Sequence, residues 1–237
     1  VQGGSISPLL ANVYLHYAFD LWVQQWRQRH AKGDVVIVRY ADDWVAGFEH
    51  RRDAERFRRD VTQRLKTFGL ALHESKTRLI EFGRFARDNR RRRGQGKPET
   101  FDFLGFTHCC GKTQRGKFMV LRLTSAKRLR AKLHAVKDDL RRRMHRPIAE
   151  QGQYLRAVVS GHSRYFAVPC NGARVEVFRF QVARLWHRTL CRRSQAKHLS
   201  WKRMHRIVEH WLPRPRICHP YPGQRLIVTT QGKSRVR

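Results

Sequence analysis

The tightest constraint on the fold lies between residues 35 and 48. Val35-Val36-Ile37-Val38 is a β-branched run and Trp44-Val45-Ala46-Gly47-Phe48 a second apolar one, with Tyr40-Ala41-Asp42-Asp43 set between them. Runs of this kind read as strands, and a short polar spacer between two of them reads as a hairpin turn. Strand residues alternate faces, so two adjacent carboxylates point outward together only where the chain turns. The segment therefore predicts a rigid apolar hairpin with Asp42 and Asp43 at its tip. Hard Mg²⁺ takes such oxygen ligands. Aspartate also favours turns for conformational reasons alone, so the pair by itself leaves a plain turn and a cation site both open.

The sequence on either side is mixed α and β. Ser7 is a good N-cap and Pro8 fits a first helical position, for a helix over 8–28 carrying Leu10, Val13, Tyr14, Tyr17 and Leu21. A second helix places Ala54, Phe57, Val61, Leu65 and Phe68 on one stripe and stops at Gly69. Short strands are expected at 70–73 and 79–82 around the polar turn Glu74-Ser75-Lys76-Thr77. Residues 84–98, with arginine at every position from Arg90 to Arg93, read as a solvated mobile loop. A hairpin of 101–106 with 118–123 follows.

From Thr124 onward the pattern is helical. Thr124 or Ser125 is placed to cap a helix whose apolar stripe is Leu129, Leu133, Val136, Leu140 and Met144. Further helices are expected over 153–167 and 173–191, the latter with Val175, Phe178, Val182, Leu185 and Trp186 on its core face. A last short one, capped by Ser200, ends at Trp211 before a Pro-rich basic tail. The predicted fold class is α+β, an antiparallel sheet with helices over 1–123 followed by an all-α bundle over 124–237.

Charge narrows the partners. Lys and Arg number 51 against 18 Asp and Glu, a formal net charge of +33. A field of that size repels itself unless a polyanion neutralises it, and nucleic acid is the polyanion that fits. Lys127, Arg130 and Lys137 lie on the polar face of the first bundle helix and are candidates for phosphate contact. With 41% hydrophobic residues, 6 Trp and 13 Phe, the chain has enough apolar mass for a core, which excludes wholesale disorder. No apolar run approaches the ~20 residues that span a bilayer. Five cysteines are an odd, scattered set that fits a reduced compartment. His108-Cys109-Cys110 invites zinc, but Cys170, Cys191 and Cys218 supply no second pair, which favours inert thiols.

Several blocks resemble one family. Val36-Ile37-Val38-Arg39-Tyr40-Ala41-Asp42-Asp43 looks like the metal-binding hairpin of reverse transcriptases. The stretch from Gln2-Gly3-Gly4-Ser5-Ile6-Ser7-Pro8 to Leu15 resembles the block that precedes it in group II intron reverse transcriptases. Gly69-Leu70-Ala71-Leu72-His73-Glu74-Ser75-Lys76-Thr77 is similar to the next block, and Phe103-Leu104-Gly105-Phe106 to the primer grip. Ser160-Gly161-His162-Ser163-Arg164-Tyr165-Phe166, Arg192-Arg193-Ser194-Gln195 and Trp211-Leu212-Pro213-Arg214-Pro215 resemble the thumb, or maturase, region.

The resemblance implies a right-hand polymerase palm, with 1–123 its C-terminal part, and a thumb/maturase domain over 124–237. It implies RNA-directed DNA synthesis by two-metal nucleotidyl transfer with Mg²⁺, and maturase activity in RNA splicing. The implied partners are group II intron RNA, an RNA template with DNA primer, dNTP and a DNA target, with no membrane. Asp42 would hold the catalytic metals with Asp43 beside it. Gln2, Gly3, Gly4, Tyr40 and Ala41 would meet the nucleotide, and Lys76 would donate a proton to the leaving pyrophosphate. Phe103, Leu104 and Gly105 would grip the primer, and Arg192 and Arg193 would bind RNA. The implied setting is that of a prokaryotic mobile element, cytoplasmic and associated with nucleoid or ribonucleoprotein. The family's third metal-binding Asp and its fingers lie upstream of the first matching block, so the chain is read as a truncated fragment that polymerises nothing alone. The alternative is an RNA-binding splicing cofactor without polymerase activity.

Overall fold

A computed structural model of the chain describes residues 6–193 and 199–221. It divides into two compact units, residues 1–81 and 82–237. The division falls ahead of Thr124, where strands give way to helices. The architecture is α+β.

The first unit opens with helix α1 (Ser7–Leu15), a π turn (His16–Asp20) and α2 (Leu21–His30). Strands β1 (Val35–Tyr40) and β2 (Asp43–Phe48) form an antiparallel hairpin with Val35 opposite Phe48 and Tyr40 opposite Asp43. Helix α3 (Arg51–Lys66) then packs with the π turn and α2 on one hairpin face. Aromatic rings fill that layer. Phe57 lies among Trp22, Trp26, Trp44 and Phe48, with centroids 4.9–5.9 Å from its own. The Trp26 indole donates to Asp60 at 2.7 Å, satisfying its one polar atom. Buried Asp53 opens α3 by accepting from the backbone N–H groups of Lys32 and Gly33. Gly33 is required there, because a Cβ would lie 2.8 Å from the His50 ring.

The second unit begins with α4 (Ala86–Arg92) and a three-stranded meander of β3 (Phe101–Phe103), β4 (Phe106–Lys112) and β5 (Phe118–Thr124). Among the described residues four helices follow: α5 (Ala126–Arg142), α6 (Ile148–Phe166), α7 (Gly172–Cys191) and α8 (Trp201–Trp211). Their core gathers Leu129, Val136, Leu140, Leu155, Phe178, Val182, Trp186 and Met204. Buried Gln151 closes the end of α5. Its amide donates to the carbonyls of Arg143, Met144 and Arg146, and its oxygen accepts from the Trp186 indole. Asn171 joins sheet to bundle, accepting from the Thr124 backbone N–H and donating to Thr124 Oγ1 and the Phe166 carbonyl.

Several local expectations are corrected. Ser7 lies inside α1 and makes no cap; Ile6 occupies the N-cap position. The first helix is interrupted by the π turn. Residues 70–73 and 79–82 join no strand ladder among the described residues; the Leu70 N–H turns back to the Leu65 carbonyl, and Leu70 and Leu72 pack on the aromatic layer. Arginine is a good helix former, so 86–92 is helical where a loop was expected, and Arg90 turns back to the Gly96 carbonyl and Glu99. The expected hairpin 101–123 is a meander, since Leu104-Gly105 makes a turn of its own. Ser125 sits at the N-cap of α5 but sends its hydroxyl to Asp102. Ser200 does cap α8, accepting from the Arg203 N–H.

Candidate functional site

The hairpin places its acidic pair as the sequence predicts. Alternation sends Val35, Ile37 and Arg39 of β1 inward with Trp44, Ala46 and Phe48 of β2, and leaves Val36, Val38 and Tyr40 exposed on the other face. Ala41 and Asp42 form the two-residue connection, and Asp43 opens β2 opposite Tyr40. Ala41 adopts φ +53°, a left-handed conformation that costs an L-residue about 1–2 kcal/mol. Both aspartates are exposed, and among the described residues no hydrogen bond or ion pair engages either carboxylate.

The turn is held from the helix side by Arg39, which the motif reading passed over. Its guanidinium bonds Asp20 at two points, Nε to Oδ1 at 2.8 Å and Nη2 to Oδ2 at 2.6 Å. Nη1 donates to Asn12 Oδ1 at 3.0 Å and to the Ala41 carbonyl at 2.8 Å. The Arg39 hydrogen bond holds the Asp20 carboxyl below the usual carboxylate range, against a smaller opposing effect of burial. One sequence signal was available. Arg39 occupies an inward position of an otherwise β-branched strand, and an inward charge needs a partner.

The other predicted residues fall in several places. Gln2, Gly3 and Gly4 lie outside the described residues, as do Ser194 and Gln195. Lys76 is exposed in the turn after His73, with no hydrogen bond or ion pair to Asp42 or Asp43 among the described residues. Phe103, Leu104 and Gly105 lie in the second unit at the β3–β4 turn, where Leu104 and Gly105 both have positive φ, +50° and +80°. Lys127 and Arg130 are exposed on α5, while Lys137 is half-buried beside the apolar stripe rather than opposite it. Arg192 is exposed, and Arg193 reaches the His145 carbonyl at 3.4 Å.

The β3–β4 turn is also held by side chains. Tyr165 of α6 donates its hydroxyl to the Leu104 carbonyl at 2.8 Å and lays its ring on Phe106, centroids 5.7 Å apart. The Ser125 N–H donates to the Gly105 carbonyl, and Asp102 accepts from Thr107 and Ser125. Residues of the helical segments that follow pack inside the bundle. His162 is buried against Phe178, centroids 3.8 Å apart, and desolvation lowers its pKa to about 4. Leu212 is buried, and its carbonyl accepts from Arg179. Gly152 admits Trp211, since a Cβ there would lie 2.3 Å from the indole.

Asp42 and Asp43 offer adjacent, unengaged carboxylate oxygens, a donor set that suits a hard divalent cation completed by water and phosphate. Among the described residues no cluster of three or more His, Cys, Asp or Glu side chains forms a metal site. No helix among them is long and apolar enough to cross a membrane.

Comparison with known families places this hairpin in a wider context. Residues 1–108, a little under half the chain, match the reverse transcriptase (RNA-dependent DNA polymerase) family. The matched stretch contains the whole β1–β2 hairpin, Lys76 and the β3–β4 turn. It is reverse transcriptase-like in sequence, and the family's activity is RNA-directed DNA polymerisation. A comparison with curated proteins finds no match.

Proposed function

We propose that this chain is part of a group II intron reverse transcriptase with maturase activity. One observation carries the reading: two unengaged carboxylates at the tip of a hairpin that lies inside the reverse transcriptase-like stretch. In this reading Asp42 and Asp43 hold Mg²⁺, which when bound activates a primer hydroxyl and stabilises the leaving phosphate in two-metal nucleotidyl transfer. In the same reading exposed Tyr40, the small Ala41, and Gln2, Gly3 and Gly4 meet the nucleotide. Lys76 carries a proton toward the leaving pyrophosphate. The Phe103-Leu104-Gly105 turn bears on the primer backbone. Palm and thumb divide at Thr124, and the setting is a cytoplasmic ribonucleoprotein.

Lys127, Arg130, Lys137, Arg192 and Arg193 neutralise phosphates of the intron RNA. Each phosphate contact contributes a slope of about −0.7 to −0.9 to log K against log salt, so binding weakens steeply with KCl. The basic α5 face and the charge of +33 equally suit a second reading, an RNA-binding splicing cofactor whose acidic turn is idle.

Primer extension on an RNA template with Mg²⁺ and dNTPs, using a protein that carries this chain together with the family's upstream fingers, separates the two readings. The first expects extension that Asp42→Asn abolishes while filter-binding affinity for intron RNA is unchanged. RNA binding with no extension in either form overturns it in favour of the second.

A further inference from the structure

The Arg39 contacts go beyond what an apolar hairpin needs for stability. Cross-strand pairing of Tyr40 with Asp43 closes the ladder, and the Ala41 carbonyl lies outside it. That peptide is the one whose orientation directs Asp42, and it belongs to a residue in the strained left-handed region. A strained turn persists only where its surroundings over-determine it. Here the surroundings are a single guanidinium, with one fork on a carboxylate and its remaining Nη divided between Asn12 and the turn.

The helix is built to present those partners. Residues eight apart in an uninterrupted α-helix are offset by about 80°. The wider π turn His16–Asp20 takes up that offset, so Asn12 and Asp20 reach the same guanidinium. A π turn loosens backbone carbonyls, and Arg64 of α3 donates to two of them, Ala18 at 3.1 Å and Tyr17 at 3.3 Å. π bulges of this kind recur at functional sites.

We infer that Arg39, aimed by Asp20 and Asn12, is a positioning residue that fixes the Ala41 peptide and thereby sets how Asp42 and Asp43 present their carboxylates to a cation. This rests on reading the turn as a metal site. The guanidinium touches neither carboxylate and acts through the backbone between them and the strand.

Charge and geometry make opposite demands, which allows a direct test. A cation beside a metal site repels the metal, so Arg39 acting by charge alone predicts tighter binding in Arg39→Gln and no change in Arg39→Lys. Acting by geometry, it predicts weaker binding in both, because lysine keeps the charge but loses the planar fork.

Mn²⁺ binding to the 237-residue chain, followed by the electron paramagnetic resonance signal of the free ion, measures this. Amide hydrogen exchange on the same proteins reports the order of the turn. Arg39→Lys and Arg39→Gln are each expected to weaken Mn²⁺ binding about tenfold, the worth of one charge-assisted hydrogen bond. Exchange at residues 40–43 should rise while residues 35–38 and 45–48 stay protected. Asn12→Ala, at an exposed position that leaves the Asp20 fork intact, should shift both readouts the same way by a smaller factor.

Tighter Mn²⁺ binding in Arg39→Gln, or unchanged turn exchange in Arg39→Lys, overturns the inference. A uniform rise in exchange across residues 6–81 also overturns it, since Arg39 would then be supporting the fold in general. Equal Mn²⁺ affinity in wild type and Asp42→Asn is a different failure. It removes the metal reading, and the exchange pattern still decides the clamp by itself.

Discussion

The β1–β2 turn and the β3–β4 turn solve one problem by different means. Each is a two-residue connection with a non-glycine residue at positive φ, Ala41 in one and Leu104 in the other. Each has the carbonyl of that residue held by a side chain, Arg39 at 2.8 Å and Tyr165 at 2.8 Å. The first clamp is an ion-paired guanidinium on a hairpin with an exposed apolar face. The second is a neutral phenol on a meander tied into a helical bundle through Asn171, Ser125 and Asp102. The difference follows from what the turns carry. Adjacent carboxylates must stay in water, so their turn cannot be packed from the front and is held from behind by charge. A Phe-Leu-Gly-Phe turn carries no charge of its own, and its Leu104 carbonyl is held by a ring and a neutral hydrogen bond.

Removing the strongest tie of the second turn is the most severe way to break this comparison. Asn171→Ala leaves the Thr124 N–H and hydroxyl without their partner in a buried site, while the Phe166 carbonyl keeps the Val168 N–H. A loss of about 3 kcal/mol is expected in urea unfolding, since each unsatisfied buried group costs roughly 1–3 kcal/mol. A loss below 1 kcal/mol would mean that packing, and not the polar link, joins sheet to bundle.

Acid should separate the two regions next. His162 is buried against Phe178, and its pKa falls from 6.5 to about 4 by desolvation. The unfolded chain therefore takes up a proton that the folded bundle refuses. Stability is fully present above pH 6.5 and declines as pH falls toward about 4. The Asp20 carboxyl is lowered from 3.8 by Arg39, so its contribution is present above pH 3.8 and is lost only as pH falls through its lower folded value. Amide exchange measured from pH 7 to pH 4 should show α6 and α7 weakening before β1 and β2, and His162→Phe should flatten the bundle's response. Simultaneous weakening in both regions would break the comparison.

Tyr165→Phe sharpens the comparison at smaller cost. It removes one hydrogen bond at a partly exposed ring, worth about 1 kcal/mol. The loss should be the same at low and high KCl, because neither partner is charged. A salt-dependent loss in thermal unfolding would show that the second clamp also works by electrostatics.

The smallest expected effect is a gain. Ala41→Gly relieves a left-handed strain of about 1–2 kcal/mol and gives back most of it through the greater freedom of unfolded glycine, for a net of roughly +0.5 kcal/mol. Thermal unfolding should therefore show a slight rise with Ala41→Gly. A fall would mean that the Ala41 methyl group has packing that outweighs its strain.

What the sequence determined by itself was what periodicity and composition encode. The alternation of β1, the apolar stripes of α3, α5 and α7, the Asp42-Asp43 turn and the basic character were all legible, because each follows from neighbours within a few residues. Tertiary structure decided the rest. Leu70 and Leu72 looked like strand residues, but a strand exists only with a backbone to pair with. Ser125 looked like a cap, but Asp102, 23 residues away in sequence, took its hydroxyl. Arg39 read as one more cation among 51 Lys and Arg until the chain brought Asp20, Asn12 and the Ala41 carbonyl around it. Local patterns specify which face of an element is apolar. Which donor meets which acceptor depends on distances that only the packed chain defines.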